Sequence, residues 1–284
     1  MLKRIITAVV AMFIFVPVVW FSDTYVFPIA ISIATVLGLF EMFRCIGVLK
    51  LWYLSAPLIL VGGAMPTLAR FFDKGRESDF HFVIIGVAIL LALYIFAVSL
   101  FSKGKLPIEL AGLSFMTEFY ITGGFTAIVM LRDFEIIGIY LFMLIFVGAW
   151  ITDIFAYFTG RFLGKHKLIP EISPKKTVEG SIGGIVFCSL FFMLYGFVLT
   201  KIVDISDINY LVLAIVGIII SVVAQIGDLT MSQIKRKFGV KDYGKILPGH
   251  GGVLDRFDSI IAVALVLIIA CATVRHFGIN IIRT

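Results

Sequence analysis

The chain has 284 residues, of which 61% are hydrophobic and 15% charged, with a mean hydropathy of +1.10 and a formal net charge of +6. A soluble domain of this size could not hide so much apolar surface, so the soluble classes are excluded and an integral membrane protein is expected. The apolar runs are uninterrupted and about 20 residues long, not ten-residue alternations, which predicts an all-α polytopic protein rather than a closed barrel.

In chain order, nine spans are expected near 5–21, 25–43, 51–71, 80–101, 107–131, 135–158, 180–200, 207–231 and 254–275. The first has the basic start of a signal peptide, through Lys3 and Arg4. Its apolar part is too long for one, and Trp20, Phe21, Ser22 and Asp23 stand where small cleavage-site residues belong, so a retained span is expected. The fifth span is the weakest, interrupted by Glu109, Glu118 and the Gly123–Gly124 pair. Cys45, Cys188 and Cys271 lie singly in or beside apolar segments without a CxxC pair, and read as packing residues.

Charge predicts the orientation. With the N-terminus in the cytoplasm, 17 of the 24 Lys and Arg fall on the cytoplasmic side; the others are Arg70, Lys74, Arg76, Arg132, Lys201, Arg275 and Arg283. The positive-inside rule therefore favours N-in, C-out. Most of the inside charge lies in two segments, 159–179 and 232–253. Residues 1–131 read as a scaffold that could offer a lipid groove or oligomer contacts, and 132–284 as a catalytic region carrying both loops. A homodimer is compatible with this division, and no nucleic-acid partner is expected.

Three polar groupings break the apolar pattern. In 153–184, Asp153, Tyr157, Gly160 and Gly164 recur at i, i+4, i+7 and i+11, one stripe of a helix on which glycines allow close approach. Pro170 and Pro174 then predict a turn carrying Lys175 and Lys176. A plain snorkelling anchor would explain the lysines, but not Asp153, since an unpaired carboxylate at membrane depth costs a few kcal/mol or more. The stretch GRFLGKH (160–166) is not a P-loop: its glycine spacing is one residue short, and His166 stands where Ser or Thr should bind magnesium.

In the second grouping Gln225, Asp228, Ser232 and Lys235 share a helical face at i, i+3, i+7 and i+10. A polar seam between helices accounts for Gln225 and Ser232, and less well for Asp228. The third is PGHGGVLDRFDS (248–259). The apolar run Ile260–Val274 is about 22 Å long as a helix, too short for the bilayer, so the helix is expected to start near Val253 or Leu254. Asp255 and Asp258 then share one side of its first turns. Capping would explain either acid alone; both, with Asp228, have the character of a divalent-metal site. The glycines around His250 expose backbone N–H groups suited to a phosphate. Acids at span ends, basic residues at the lip and no Cys or Ser-His-Asp nucleophile fit phosphoryl or nucleotidyl transfer.

The 27-residue stretch Ser232–Asp258 resembles the signature of the phosphatidate cytidylyltransferases, or CDP-diacylglycerol synthases. The resemblance lies in Ser232, Lys235, Arg236, Lys241, Asp242, Gly244, Leu247, Pro248, His250, Gly251, Gly252, Asp255, Arg256 and Asp258. Asp153, Tyr157, Lys175, Lys176, Thr177, Glu179 and Gly180 are similar to a second block of that family. The first 130 residues match only as apolar spans.

The resemblance implies a Mg²⁺-dependent reaction of CTP with phosphatidic acid at the membrane, giving CDP-diacylglycerol and pyrophosphate. It makes Asp228, Asp255 and Asp258 metal ligands, for one cation or two. Lys175, Lys176, Lys235, Arg236 and Lys241 would neutralise CTP or lipid phosphates, undivided between the two. His250, Gly251 and Gly252 would line the phosphate path, and Arg256 would clamp a phosphate or pair with Asp258. Asp153 is a further ligand or an orienting acid; Asp242, Tyr157 and Ser232 enter as signature positions. The resemblance also implies a cell-membrane protein whose site faces the cytoplasm. Two alternatives are a transporter with intramembrane carboxylates, which predicts polar groups reaching both faces, and a cytidylyltransferase acting on another lipid phosphate.

Overall fold

In hydrocarbon a backbone must satisfy its own polar groups, so long apolar runs become helices. The computed structural model describes residues 2–72, 77–134, 137–203, 207–276 and 282–283. Lys74 and Arg76, counted above on the outer face, lie outside them. The helices are α1 (Leu2–Trp20), α2 (Val26–Cys45), α3 (Trp52–Phe71), α4 (Glu77–Phe101), α5 (Ile108–Arg132), α6 (Gly138–Leu163), α7 (Val178–Ile202), α8 (Tyr210–Lys237) and α9 (Leu254–His276). Each of the nine expected spans has its helix. Among the described residues, eight have the length and hydropathy to cross a membrane. The last helix starts at Leu254, as the shortness of the final apolar run requires.

The chain forms two compact units. The first comprises residues 1–133 and 238–257. Here α2, α3 and α5 pack on one another around Phe43, Leu39, Leu54, Leu58 and Phe125, all fully buried. The acids that made the fifth span look weak do not break it. Glu109 lies in the first turn of α5, where the helix dipole favours a carboxylate. Glu118, only 2% exposed, accepts a hydrogen bond from the Thr122 hydroxyl at 3.0 Å. At the C-terminal end of α3, the Arg70 guanidinium donates to the Asp133 carboxylate, with its Nε 2.8 Å from Oδ2, and to the carbonyl of Ser22 at 2.8 Å. Arg132 donates to the Ser22 hydroxyl at 2.8 Å. These bonds tie off that end of the bundle.

The second unit comprises 134–237 and 258–284. Here α6, α7 and α8 pack together, and the α6 glycine stripe does what its spacing predicts. A Cβ on Gly160 would stand 2.7 Å from the Thr177 hydroxyl, and one on Gly180 would stand 2.6 Å from the Ala156 carbonyl. The seam is also polar: Thr152 donates to Ser221 at 3.0 Å, and Gln225 Nε2 donates to the Ser181 carbonyl at 3.3 Å. Gln225 is therefore a fastener between α7 and α8. Between α6 and α7 runs a small antiparallel hairpin of β1 (Lys167–Ile169) and β2 (Ser173–Thr177). Beyond α7, β3 (Asp207–Ile208) pairs with β4 (Ile282–Arg283).

The hairpin changes one expectation. The turn is Pro170–Ile172, and Lys175 and Lys176 lie on β2, not in the turn. Consecutive strand residues face opposite sides. Lys175 is accordingly exposed, while Lys176 is largely buried.

Candidate active site

In the second unit, α8 and β2 bring a carboxylate and an ammonium together. Asp228, one face of α8 with Ser232 and Lys235, forms an ion pair with Lys176 of β2. Both side chains are about three-quarters buried, at 26% and 25% exposure. Asp153 on α6 lies within electrostatic reach of Lys176 and Asp228. Asp258, in the second turn of α9, lies within reach of Asp228, Lys235 and Asp153. Asp258 and Lys235 are both buried, at 9% and 8% exposure. Three carboxyl groups thus share the neighbourhood of two ammonium groups.

Local chemistry fixes this arrangement. Thr177 ends β2 in extended conformation and caps α7, its hydroxyl accepting from the Gly180 N–H at 3.1 Å. The Glu179 carboxylate accepts from the backbone N–H of Lys165 at 3.1 Å and from that of His166 at 3.2 Å, and is 2.6 Å from His166 Nδ1. The end of α6, the hairpin and the start of α7 are therefore held as one piece, and Lys176 is aimed by it. The block SPKKTVEG thus combines the ion-paired Lys176 with the residues Thr177 and Glu179 that place it. Tyr157 accepts from Arg161 at 2.9 Å at the exposed end of α6, and Arg236 is exposed at the end of α8.

In the first unit, residues 238–257 form a tight polar loop. Leu247 and Gly251 make an antiparallel bridge: Leu247 N–H donates to the Gly251 carbonyl at 2.9 Å and Gly251 N–H donates back to the Leu247 carbonyl at 3.1 Å, which also accepts from His250 N–H at 2.9 Å. The turn needs Gly251, whose φ is +91° and whose Cβ would meet the Asp255 carboxylate at 2.9 Å. Asp255 is buried, and its Oδ2 accepts from Tyr243 N–H at 2.8 Å and Gly252 N–H at 2.9 Å. The loop lines a cavity of about 630 Å³ bordered by Lys241, Asp242, Gly244, Lys245, Leu247, Pro248, Gly249, His250, Gly251 and Arg256. Three cationic side chains and the His250 ring border it, and His250 Nδ1 is buried with no hydrogen-bond partner in the described structure.

Asp228 and Asp258 belong to the second unit with Asp153; Asp255 belongs to the first, where Oδ2 fastens the loop backbone. Among the described residues no three or more His, Cys, Asp or Glu stand together as a metal cage. The carboxylates present still suit Mg²⁺, which takes hard oxygens, keeps several waters, and is commonly held by one or two carboxylates plus substrate phosphates.

Sequence reading passed over Glu41 and Arg44, both on α2. Glu41 is fully buried and accepts from Val253 N–H at 3.1 Å and Leu254 N–H at 2.9 Å. Arg44 donates to the Tyr243 carbonyl at 2.5 Å. The available signal was an acid inside an otherwise apolar span, which by default marks a functional position.

Many helical spans, acids gathered with lysines, and a cationic glycine turn define an integral membrane enzyme suited to phosphate chemistry. Over residues 2–274 the sequence matches the cytidylyltransferase family. It is 35% identical to the phosphatidate cytidylyltransferase of Staphylococcus haemolyticus over 256 residues, 90% of this chain and 93% of that protein. It is likewise 35% identical over 268 residues to the enzyme of the same name from Bacillus subtilis, covering 93% and 94% of the two chains. The chain belongs to the cytidylyltransferase family.

Proposed function

We propose that this protein transfers the cytidylyl group of CTP to phosphatidic acid, giving CDP-diacylglycerol and pyrophosphate. The observation that carries the reading is the 35% identity, along nine-tenths of the chain, to proteins named phosphatidate cytidylyltransferase. In the reaction an oxygen of the lipid phosphate forms a bond to the α-phosphorus of CTP. The bond from that phosphorus to the oxygen bridging to the β-phosphate breaks, and pyrophosphate leaves with the electron pair.

A phosphate monoester is largely a dianion at neutral pH, since its second pKa is near about 6. No strong base is needed; what opposes reaction is repulsion between two anions, and positioned cations relieve it. Lys241, Lys245 and Arg256, bordering the glycine turn, supply positive charge there; the N–H groups of His250, Gly251 and Gly252 are already taken by the Leu247 carbonyl and Asp255, so the cationic side chains and not the turn's backbone are the partners for phosphate. Lys176 and Lys235 supply positive charge beside Asp228 and Asp258. Those two carboxylates, with Asp153 as an orienting neighbour, would hold Mg²⁺, which when bound screens phosphate charge and aligns the attacking and leaving oxygens. We assign Asp255 to fastening the loop, because two backbone N–H groups already occupy Oδ2.

The charge distribution supports a site facing the cytoplasm of a cell membrane, where soluble CTP meets a lipid head group. The test is purified full-length protein in detergent with radiolabelled CTP, Mg²⁺ and phosphatidic acid. Labelled CDP-diacylglycerol that vanishes with EDTA is the expected product. Its absence across lipid compositions and divalent metals would remove the proposal.

A further inference from the structure

The signature loop owes its shape to an acid some two hundred residues away. Glu41 reaches from α2 to the start of α9, where its two oxygens accept the N–H groups of Val253 and Leu254, partners 212 and 213 residues distant in sequence. These are among the N–H groups that a helix start leaves without intrahelical partners. Asp255 takes the next one, that of Gly252. Two carboxylates therefore close the first turn of α9, one from the helix itself and one from α2.

The glycines of the loop record the same contact. A Cβ on Gly252 would lie 2.4 Å from both Glu41 oxygens, and one on Gly244 would lie 2.0 Å from Oε1. Both positions have ordinary reasons to be small in a turn, yet neither has a positive φ. What excludes a side chain at Gly252 is the Glu41 carboxylate, and at Gly244 it is that carboxylate together with the Gly252 Cα. Arg44, one turn further along α2, holds the Tyr243 carbonyl, so α2 grips both ends of the stretch 243–254.

Glu41 is also fully buried, at 0% exposure. A carboxylate so placed is costly to keep unless its oxygens are occupied, and here they are occupied by backbone donors of the loop. A Leu or Phe would pack α2 equally well. We infer that Glu41 is a positioning residue for cytidylyl transfer: it fixes the height and rotation of the Gly244–Leu254 loop, and through it the placement of His250, Asp255 and Arg256. It touches no substrate in this role. The inference rests on the cytidylyltransferase reading for its effect on turnover, but the contact itself stands apart from that reading.

The experiment uses full-length protein in detergent, as wild type, Glu41→Gln and Glu41→Ala. Gln keeps the size and one acceptor oxygen but turns an NH₂ group toward the second N–H. Amide hydrogen exchange at residues 243–254 should quicken in the order wild type, Gln, Ala, while α3 and α5 stay as protected as in wild type. Turnover should fall in the same order, by about 100-fold for Ala, the scale expected when reacting groups shift by about 1 Å. The fall should be in kcat, with KM for CTP and for phosphatidate changed less than threefold. General loss of fold would instead lower the active fraction and quicken exchange throughout.

A double-mutant cycle supplies the second readout. Gly252→Ala should be severely impaired in the wild-type background and add little once Glu41 is Ala, because the overlap is with the carboxylate. Glu41→Ala with faster loop exchange but kcat within twofold of wild type would overturn the positioning role, as would additive losses in the cycle. If the wild type forms no CDP-diacylglycerol, the activity reading fails; unchanged exchange at Val253 and Leu254 in the variants would then sink the inference separately.

Discussion

Gly244→Ala tests how tightly the signature loop is built. The added methyl carbon would lie 2.0 Å from Glu41 Oε1, 2.7 Å from its Cδ and 2.8 Å from the Gly252 Cα. An ordinary carbon contact is about 3.5–4 Å, so the loop or Glu41 must retreat by more than about 1 Å. Glu41 cannot swing away without giving up the bonds to Val253 and Leu254, and the Gly252 contact is with backbone, which yields less than a side-chain tip. Overpacking of this kind typically costs about 1–3 kcal/mol in stability. The effect on rate is larger, because the displaced segment carries His250, Asp255 and Arg256; a shift of about 1 Å is expected to lower turnover about 100-fold. The assay is CDP-diacylglycerol formation from radiolabelled CTP, run beside thermal unfolding in the same detergent. Gly86→Ala and Gly112→Ala are the controls: an added Cβ meets nothing within 4 Å at either. Both should keep full turnover. Gly244→Ala at more than a third of wild-type turnover would refute the steric reasoning.

Other outcomes follow from the second unit. Asp228→Asn and Asp258→Asn should each abolish detectable product while the purified protein keeps its elution profile and helical content, since each removes an oxygen donor and a charge without changing size. Near-normal activity in either would take that residue out of the cation site. Lys176→Ala should lower turnover at least tenfold yet cost about 1 kcal/mol or less in stability, because a partly exposed ion pair contributes little to folding; a large drop in unfolding temperature with intact turnover would make the pair structural. Thr152→Val should do the reverse. It deletes the donor to Ser221 in the α6–α8 seam and should cost about 1 kcal/mol in stability, measured by thermal unfolding, with kcat unchanged.

The part of this protein legible in its sequence was the part governed by local rules. Hydropathy over a window the thickness of a bilayer gave the helices, because lipid forces each run to satisfy its own backbone whatever its neighbours are. Helical spacing showed Asp228, Ser232 and Lys235 on one face of α8, and the shortness of the last apolar run required α9 to begin at Leu254. The glycine stripe of α6 announced a close partner, found in Gly180 and Thr177. The signature residues were also visible, since a motif is by nature contiguous.

Only tertiary structure decided what those residues do to one another. Lys175 and Lys176 look equivalent in a list of basic residues; strand pairing sends one outward and the other to Asp228. Asp255 and Asp258, three residues apart on one helix, look like two ligands of one ion. The first takes the N–H groups of Tyr243 and Gly252, and the second lies among Asp228, Lys235 and Asp153. What Glu41 does was hidden for the same reason, although its presence in an apolar span was a visible signal. Its partners, Val253 and Leu254, stand more than two hundred residues away, and no periodicity reports a hydrogen bond across that distance. Sequence spacing determines which side chains share a helical face; which backbone donor or opposite charge each one meets depends on how distant helices pack.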